Sequence, residues 1–336
     1  MFTPSTPYIK PLSPGFVLKS VATRDDVDRI GAFNAIIFGA DVDAMARSLI
    51  LHHPHTRPEH WLYVEEKATG QVISSLCLIP WRWRYDGIEL RSGEMGICGT
   101  REGYRNHGFV RALMVRHQEL LAETGCHLSH IQGIPYFYRQ FGYEYALPLI
   151  GGWEIELRRI ADAPLPGITF RPAASEDIPA LMRLYADSVR DLDIHADRDA
   201  DEWRYLLTHT HGTGTAVDVV VMVADDGQIA GYCVIEHGGF SDGLNVSEAS
   251  RLTHIGAQAM LRHLKTLAIA KGKPFIRLWM AENNPLLRTA VGMGAENRGR
   301  YQWQINILNV PRLLMAIAPA LERRLAQSMF AGLPKR

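Results

Sequence analysis

Cysteine is scarce in this chain. The four present, Cys77, Cys98, Cys126 and Cys233, lie far apart in 336 residues. That spacing excludes a disulfide framework or a zinc-finger pattern and leaves buried free thiols as the expectation. An excess of charge is also missing: 36 acidic residues meet 36 basic ones, so nothing electrostatic points to nucleic acid or a membrane surface as a partner. No apolar run is long enough to cross a bilayer. Met1-Phe2-Thr3-Pro4-Ser5 has no basic stretch followed by an apolar one, so no secretory leader is read and a cytoplasmic protein is expected. Histidine concentrates at His52-His53-Pro54-His55, with His60 nearby, but the spacing matches no standard metal site. A mobile polar loop is expected there, and no metal.

Apolar residues, by contrast, are plentiful. A 47% hydrophobic share is that of a chain with a full core, and the length suffices for two domains. An internal repeat supports two. Ala22-Thr23-Arg24-Asp25-Asp26-Val27 is echoed by Ala173-Ala174-Ser175-Glu176-Asp177-Ile178, each with polar residues suited to opening a helix. Gly70-Gln71-Val72 is echoed by Gly227-Gln228-Ile229 in a turn between strand-like runs, and Gly142 by Gly294. A period this long means duplicated domains rather than a solenoid. The linker falls at Ile160–Gly167, which is rich in proline and small residues, giving domains at 1–160 and 167–309. The remainder, 310–336, carries Leu313, Leu314, Ile317, Leu321 and Leu325 at helical spacing, and Val310–Met329 is expected to be an amphipathic helix packed on the body of the protein.

The most informative stretch is Arg105-Asn106-His107-Gly108-Phe109-Val110, between the strand-like Met95–Thr100 and a helix marked by Val110, Leu113, Met114, Leu120 and Leu121. Amides at a helix start have no partner within the helix, the helix dipole is positive there, and glycine allows close approach, so such a turn can hold a pyrophosphate. Further on come Phe137-Tyr138 and Gly142-Tyr143. Here the chain resembles the GNAT superfamily of acetyl-CoA-dependent N-acetyltransferases. Arg105 to Val110 matches its Gln/Arg-x-x-Gly-x-Gly/Ala loop, with Val110 replacing the usual last small residue. Phe137-Tyr138-x-x-x-Gly142-Tyr143 matches its Phe-Tyr-x-x-x-Gly-Phe signature.

The resemblance implies an α/β fold of two tandem GNAT domains, each a mixed, mostly antiparallel sheet flanked by helices. Tandem GNAT enzymes of the Eis type are similar but continue into a sterol-carrier-like domain, which this chain is expected to lack. The resemblance further implies acetyl-CoA as cosubstrate, with pantetheine along Cys98, Gly99 and Thr100 and the diphosphate over Arg105, Asn106, His107, Gly108, Phe109 and Val110. It makes Tyr138 the proton donor to the leaving thiolate, the alternative being a packed core tyrosine. Glu94, eleven residues before Arg105, falls at the register of the family's base glutamate, the alternative being a solvated strand edge. The second half has Ala290 at the tyrosine position and no Gln/Arg at the start of Thr253–Gln258, so it is expected to be a degenerate domain.

Trp81-Arg82-Trp83-Arg84 puts both tryptophans on one strand face, before a tight turn at Asp86-Gly87. They line either an acceptor pocket beside Glu94 or a contact between domains. The function expected is transfer of an acetyl group to a primary amine of a small molecule or peptide, with a homo-oligomer possible. A CoA-binding sensor or scaffold with little turnover is the alternative.

Overall fold

The computed structural model describes residues 5–162, 166–238 and 241–332. Ala163-Pro164-Leu165 of the expected linker and the terminal Pro334-Lys335-Arg336 lie outside the described residues. From its start the chain runs through β1 (Ile9–Pro11), β2 (Phe16–Ser20), α1 (Arg24–Phe38), α2 (Ala40–His52), β3 (Trp61–Glu66), β4 (Gln71–Tyr85), β5 (Ile88–Thr100), α3 (Phe109–Glu123), β6 (Leu128–Ile131) and β7 (Glu144–Glu156). It continues through β8 (Ile168–Pro172), α4 (Ile178–Val189), β9 (Ile194–Ala196), α5 (Ala200–Thr208), β10 (Val217–Ala224), β11 (Ile229–Glu236) and β12 (Leu244–Ala249). The last elements are α6 (His254–Ala270), β13 (Phe275–Leu278), α7 (Pro285–Gly292), β14 (Glu296–Ile307) and α8 (Val310–Ala326).

Two compact units emerge, and they do not follow the sequence halves. The first holds residues 1–147, 192–197 and 303–336; the second holds 148–191 and 198–302. In the first, strands order as β1-β2-β3-β4-β5-β6 and then the end of β14, all antiparallel except β5 beside β6. In the second, the order from β7 is β7-β13-β12-β11-β10-β8, antiparallel except β12 beside β13. Each sheet is therefore completed by a strand from the other half of the chain. Gln304–Ile307 pairs with Leu128–Ile131, and Trp153–Glu156 pairs with Phe275–Leu278.

The repeat read in the sequence is carried by backbone conformation. Gly70, Gly227, Gly142 and Gly294 all have positive φ, where a side chain is strained. Asp26 and Asp177 also play one role in both units. Each turns its carboxylate back onto the amide three residues earlier, Thr23 at 2.9 Å and Ala174 at 2.8 Å, and at Thr23 the hydroxyl accepts in return from the Asp26 amide, which closes a capping box.

The core of the first unit lies between the sheet and α3. Leu113, Met114, Leu120 and Leu121 on one stripe of α3 bury against Leu62, Val64, Leu76, Leu78 and Met95, and each such side chain contributes about 1.5–3 kcal/mol. A smaller cluster gathers Trp83, Leu90 and Leu128 under Leu313, Ala316 and Ile317 of α8. That helix ends at Ala326, short of the expected Met329, and buries less than its leucines suggest. Leu314, Leu321 and Leu325 stay exposed, whereas Ala320 is fully buried. The contact runs along the Leu313, Ala316, Ile317 and Ala320 line, so small residues let α8 approach and the outer leucines face away.

A chain ending at Arg159 removes the strand on the free edge of β6 and the α8 cover from Trp83, Leu90 and Leu128. Exposing that edge and cluster favours aggregation. We expect this fragment to be insoluble or to lose its cooperative unfolding transition by circular dichroism. A soluble fragment melting near the full-length temperature would contradict the assignment of 303–336 to the first unit.

Candidate active site

Everything at the site hangs on β5. Asp86 and Gly87, both at positive φ, make the tight turn that the sequence suggests, and the long β4–β5 hairpin follows from it. Pairing runs in register from Tyr85 and Ile88 to Cys77 and Gly96, then resumes at Ser75 and Gly99. Two steps along β4 thus face three along β5, a bulge of one residue. Ile97 sits there at φ 44°, a conformation a β-branched residue adopts at a cost of roughly 1–3 kcal/mol. On its other side β5 pairs with β6 only at Ser92, Gly93 and Glu94. Pairing stops there and β6 ends at Ile131, which leaves the edge of β5 along Met95–Thr100, the wedge, without a ladder partner on that side among the described residues. The carbonyl of Gly99 is tied to β4 by the Ser74 hydroxyl at 2.9 Å.

Past the wedge, the Arg101 amide and guanidinium hold the carbonyls of Ile73 (2.9 Å) and Val72 (2.8 Å) and fix the start of the loop. Arg105, Asn106, His107 and Gly108 are exposed, with Asn106 at φ 65° and Gly108 at φ 79°. His107 bonds the Arg105 carbonyl at 2.8 Å and stacks on Phe109, which is itself buried against Phe16. Val110 packs partly into the same core. No side chain caps α3, so its first amides face outward with the positive end of the helix dipole behind them. A Cβ at Gly108 would meet nothing within 4 Å, so the space above that glycine is open.

Tyr138 lies in a helical turn at Phe137–Phe141 and is only 4% exposed. Its ring rests on Gly133, where any Cβ would come within 2.3 Å, and packs on Phe137, Phe141 and Tyr143. Its hydroxyl is hydrogen-bonded to the Cys98 thiol, just beyond the bulge. By burial Tyr138 belongs to the core, and by its hydroxyl it belongs to the wedge. Burial pushes the Cys98 thiol up to about 11, so that thiol is protonated and a poor nucleophile.

Glu94 stands at the other end of the wedge. Its side chain is 21% exposed, and burial of the carboxyl pushes its pKa up to about 7, although the Trp81 indole N–H donates to Oε2 at 2.8 Å. This is not the solvated strand edge. Across from it, His130 Nε2 lies 3.8 Å from Oε2. His130 is 2% exposed, its Nδ1 bonds the Ser92 hydroxyl at 2.8 Å, and burial lowers its pKa to about 3. Trp83 and Trp303 flank its ring at 4.6 and 4.9 Å. Sequence reasoning missed His130, Ser92 and Trp303. His130 hid inside a strand-like run, and Trp303 comes from a segment more than 170 residues away. The tryptophan pair splits: Trp81 serves Glu94, while Trp83 is buried beside His130 and under α8. The histidine-rich segment folds as a turn after α2, where His53 Nδ1 accepts from the Thr56 amide at 3.2 Å.

The second unit repeats the frame with other side chains. Asn245 opposite Arg277 stands where the first unit has Glu94 opposite His130. The Thr253 hydroxyl occupies the Gly256 amide at 3.1 Å and so caps α6. Ala290 lies on α7 and is buried in the core. One residue beyond its own bulge, Glu248 pairs twice with Arg198 at 3.1 Å and accepts from Tyr232 at 2.5 Å.

Residues 22–146 match the family model described as an acetyltransferase (GNAT) domain. No curated protein matches the chain. Among solved structures the fold is similar to that of an Enterococcus faecalis protein described as a probable N-acyltransferase, with TM-score 0.66 and 16% identity over 92% of this chain and 75% of that one. It is also similar to GCN5-related N-acetyltransferases from Anabaena variabilis (TM-score 0.65, 17% identity, 90% and 75% covered) and Kribbella flavida (TM-score 0.65, 15% identity, 90% and 74% covered). The matched residues lie within the first unit, and both units are α/β layers of GNAT-like fold.

The raised pKa of Glu94 has a stability consequence. Its folded pKa lies above the unfolded value, so the folded state holds the proton more tightly and stability is lost as pH rises from about 4.5 through 7. Glu94→Gln removes that loss and keeps an acceptor for Trp81. The variant should exceed the native protein by roughly 2–3 kcal/mol at pH 8 and by less than half of that at pH 5.5, as measured by urea unfolding. A pH-independent difference would contradict the buried, neutralised carboxyl.

Proposed function

We propose that this protein is an acetyl-CoA-dependent N-acetyltransferase of the tandem, Eis-like kind, acting at the first unit on a primary amine of a small molecule or peptide. One observation carries the reading. The unpaired edge of β5 that begins beyond Glu94 has a high-pKa carboxyl at one end, a phenol hydroxyl beside its middle, and an uncapped helix start beyond it. Acetyl-CoA laid along Cys98, Gly99 and Thr100 would bring its diphosphate over the amides from Arg105 to Val110.

In this reaction Glu94, as carboxylate, takes a proton from the incoming ammonium and leaves a neutral amine. The amine nitrogen attacks the thioester carbon, forming the C–N bond while the C–S bond breaks. Backbone amides at the bulge stabilise the transient oxyanion. Tyr138 gives its proton to the departing thiolate and is reprotonated by the second proton that the nitrogen sheds as the amide forms, while Glu94 releases the first to solvent, so one amide, one free thiol and one proton result. The second unit supplies fold without chemistry: Asn245 cannot act as a base, and Ala290 has no proton to give.

A CoA-binding sensor with little turnover draws its support from the burial of Tyr138 and its bond to Cys98. Substitution separates the two readings. Tyr138→Phe should lower kcat about 10²-fold with CoA affinity nearly unchanged, measured by free-thiol release with a panel of amines. Unchanged rates would return Tyr138 to the core.

The cofactor site has its own test. Calorimetry should give one CoA site per chain, and Gly108→Trp, which fills the open space above the loop and strains a backbone at φ 79° by about 1–2 kcal/mol, should abolish binding in protein shown by circular dichroism to be folded. Two equal sites, or unaltered affinity in Gly108→Trp, would contradict the assignment.

A further inference from the structure

Among the described residues, no cation is placed to hold the negative charge of Glu94. Among the described residues, the titratable groups recorded around it are all neutral at pH 7. On β4 it faces the Cys77 thiol, pushed well above its ordinary range by burial, and along β5 the Cys98 thiol follows. On β6 it faces His130, kept neutral by burial. Two N–H groups remain that can favour the carboxylate: the Trp81 indole at 2.8 Å and the ring of His130 at 3.8 Å, both on Oε2.

A neutral imidazole carries one proton, and its other nitrogen decides where that proton goes. Here Nδ1 is engaged by the Ser92 hydroxyl at 2.8 Å. If Ser92 donates, the proton sits on Nε2 and faces Glu94; the opposite tautomer would set the Nε2 lone pair against a carboxylate oxygen. The ring has no room to turn, being fully buried with Trp83 and Trp303 against it and Trp81 at 6.3 Å.

We propose that His130 is a positioning residue whose Nε2–H, fixed by Ser92 and the tryptophan walls, favours the ionised form of Glu94 and so tunes the base to neutral pH. The proposal deepens the reading of Glu94 as base and rests on it for its consequence in turnover, but not for its effect on the carboxyl itself. His130 touches neither acceptor nor thioester in this scheme. It acts through Glu94 alone.

The test reads the carboxyl directly. Infrared difference titration of the full chain, with Glu94→Gln identifying the band, gives the midpoint at which Glu94 loses its proton. His130→Leu should raise that midpoint by roughly one pH unit and move the acid limb of the kcat/KM profile by the same amount. His130→Gln, which keeps an N–H in the same region, should stay close to the native value. Ser92→Ala, a milder change should His130→Leu fold poorly, should shift the midpoint upward by less. An unmoved or lowered midpoint in both His130→Leu and Ser92→Ala overturns the proposal, since a merely structural role would lower rates at every pH without moving it. If Glu94→Gln keeps the native rate, the base assignment fails, while the infrared midpoints still decide what His130 does.

Discussion

One extra residue in β5 sets the geometry on which the remainder of the site depends. Were β5 to run without a bulge, it would stay in register with β4 through Thr100. With Ile97 forced to φ 44°, the strand turns after Gly96, and pairing with β6 is recorded only as far as Glu94 and His130. The cost of that conformation, roughly 1–3 kcal/mol, is offset by burial on both sides. Leu76, Leu78 and Met95 pack under α3, and the Ser74 hydroxyl ties down Gly99. A strained residue held by its surroundings at the mouth of an opening is what a pre-organised site requires. Glycine at 96 and 99 belongs to the same device. A Cβ at Gly99 would come within about 3.0 Å of Ile37 and Phe38, and one at Gly96 within 3.1 Å of Cys77 and Ile79.

The two units separate what the frame supplies from what side chains add. Both keep the parallel pair flanked by antiparallel strands, the bulge, the helix that follows it and the turn glycines. Among the described residues, only the first leaves the helix after the bulge without a side-chain cap and sets a carboxyl across from a histidine, with a phenol in the core beside the wedge. In the second, Thr253 takes an amide that would otherwise face a ligand, and the Arg198–Glu248 pair fills its side of the sheet with a hydrogen-bonded ion pair. The pair is half-buried, and removing one partner would leave the other charge poorly compensated. Such a pair suits a unit kept for packing better than one that must admit a charged ligand.

Much of this was legible in the sequence because it is local. The turn at Arg105–Gly108 precedes its helix directly, Thr23 and Asp26 close a capping box within four residues, and Asp86-Gly87 allows little besides a hairpin. Tyr138 and Glu94 fall at fixed distances from these landmarks. The illegible parts depend on distant residues. Nothing near Leu128–Ile131 announces that Gln304–Ile307 will pair with it, and nothing near His130 announces Trp303. The leucines of α8 also misled, since helical periodicity reveals an apolar face but not how much of it another element will cover. Small residues such as Ala316 and Ala320, which weigh little in an apolar pattern, turned out to mark the contact.

The charge state of the wedge bears on which acceptors suit it. Its titratable groups are all shifted toward their neutral forms: Glu94 upward, His130 downward and Cys98 upward, each by burial. An amine arrives at neutral pH as a cation. Beside an ionised Glu94 it forms an ion pair with little water to support it, and moving one proton converts that pair into two neutral molecules. Desolvation disfavours the charged side of this exchange, so it works with the transfer instead of against it. The amine left behind is the nucleophile the thioester needs. A fixed cation beside Glu94 would reverse this advantage by stabilising the carboxylate and repelling the ammonium, whereas a neutral N–H donor tunes the carboxylate without repelling the substrate. On the proposed role of Glu94 as base, a histidine buried among tryptophans therefore suits this position better than a lysine or arginine would.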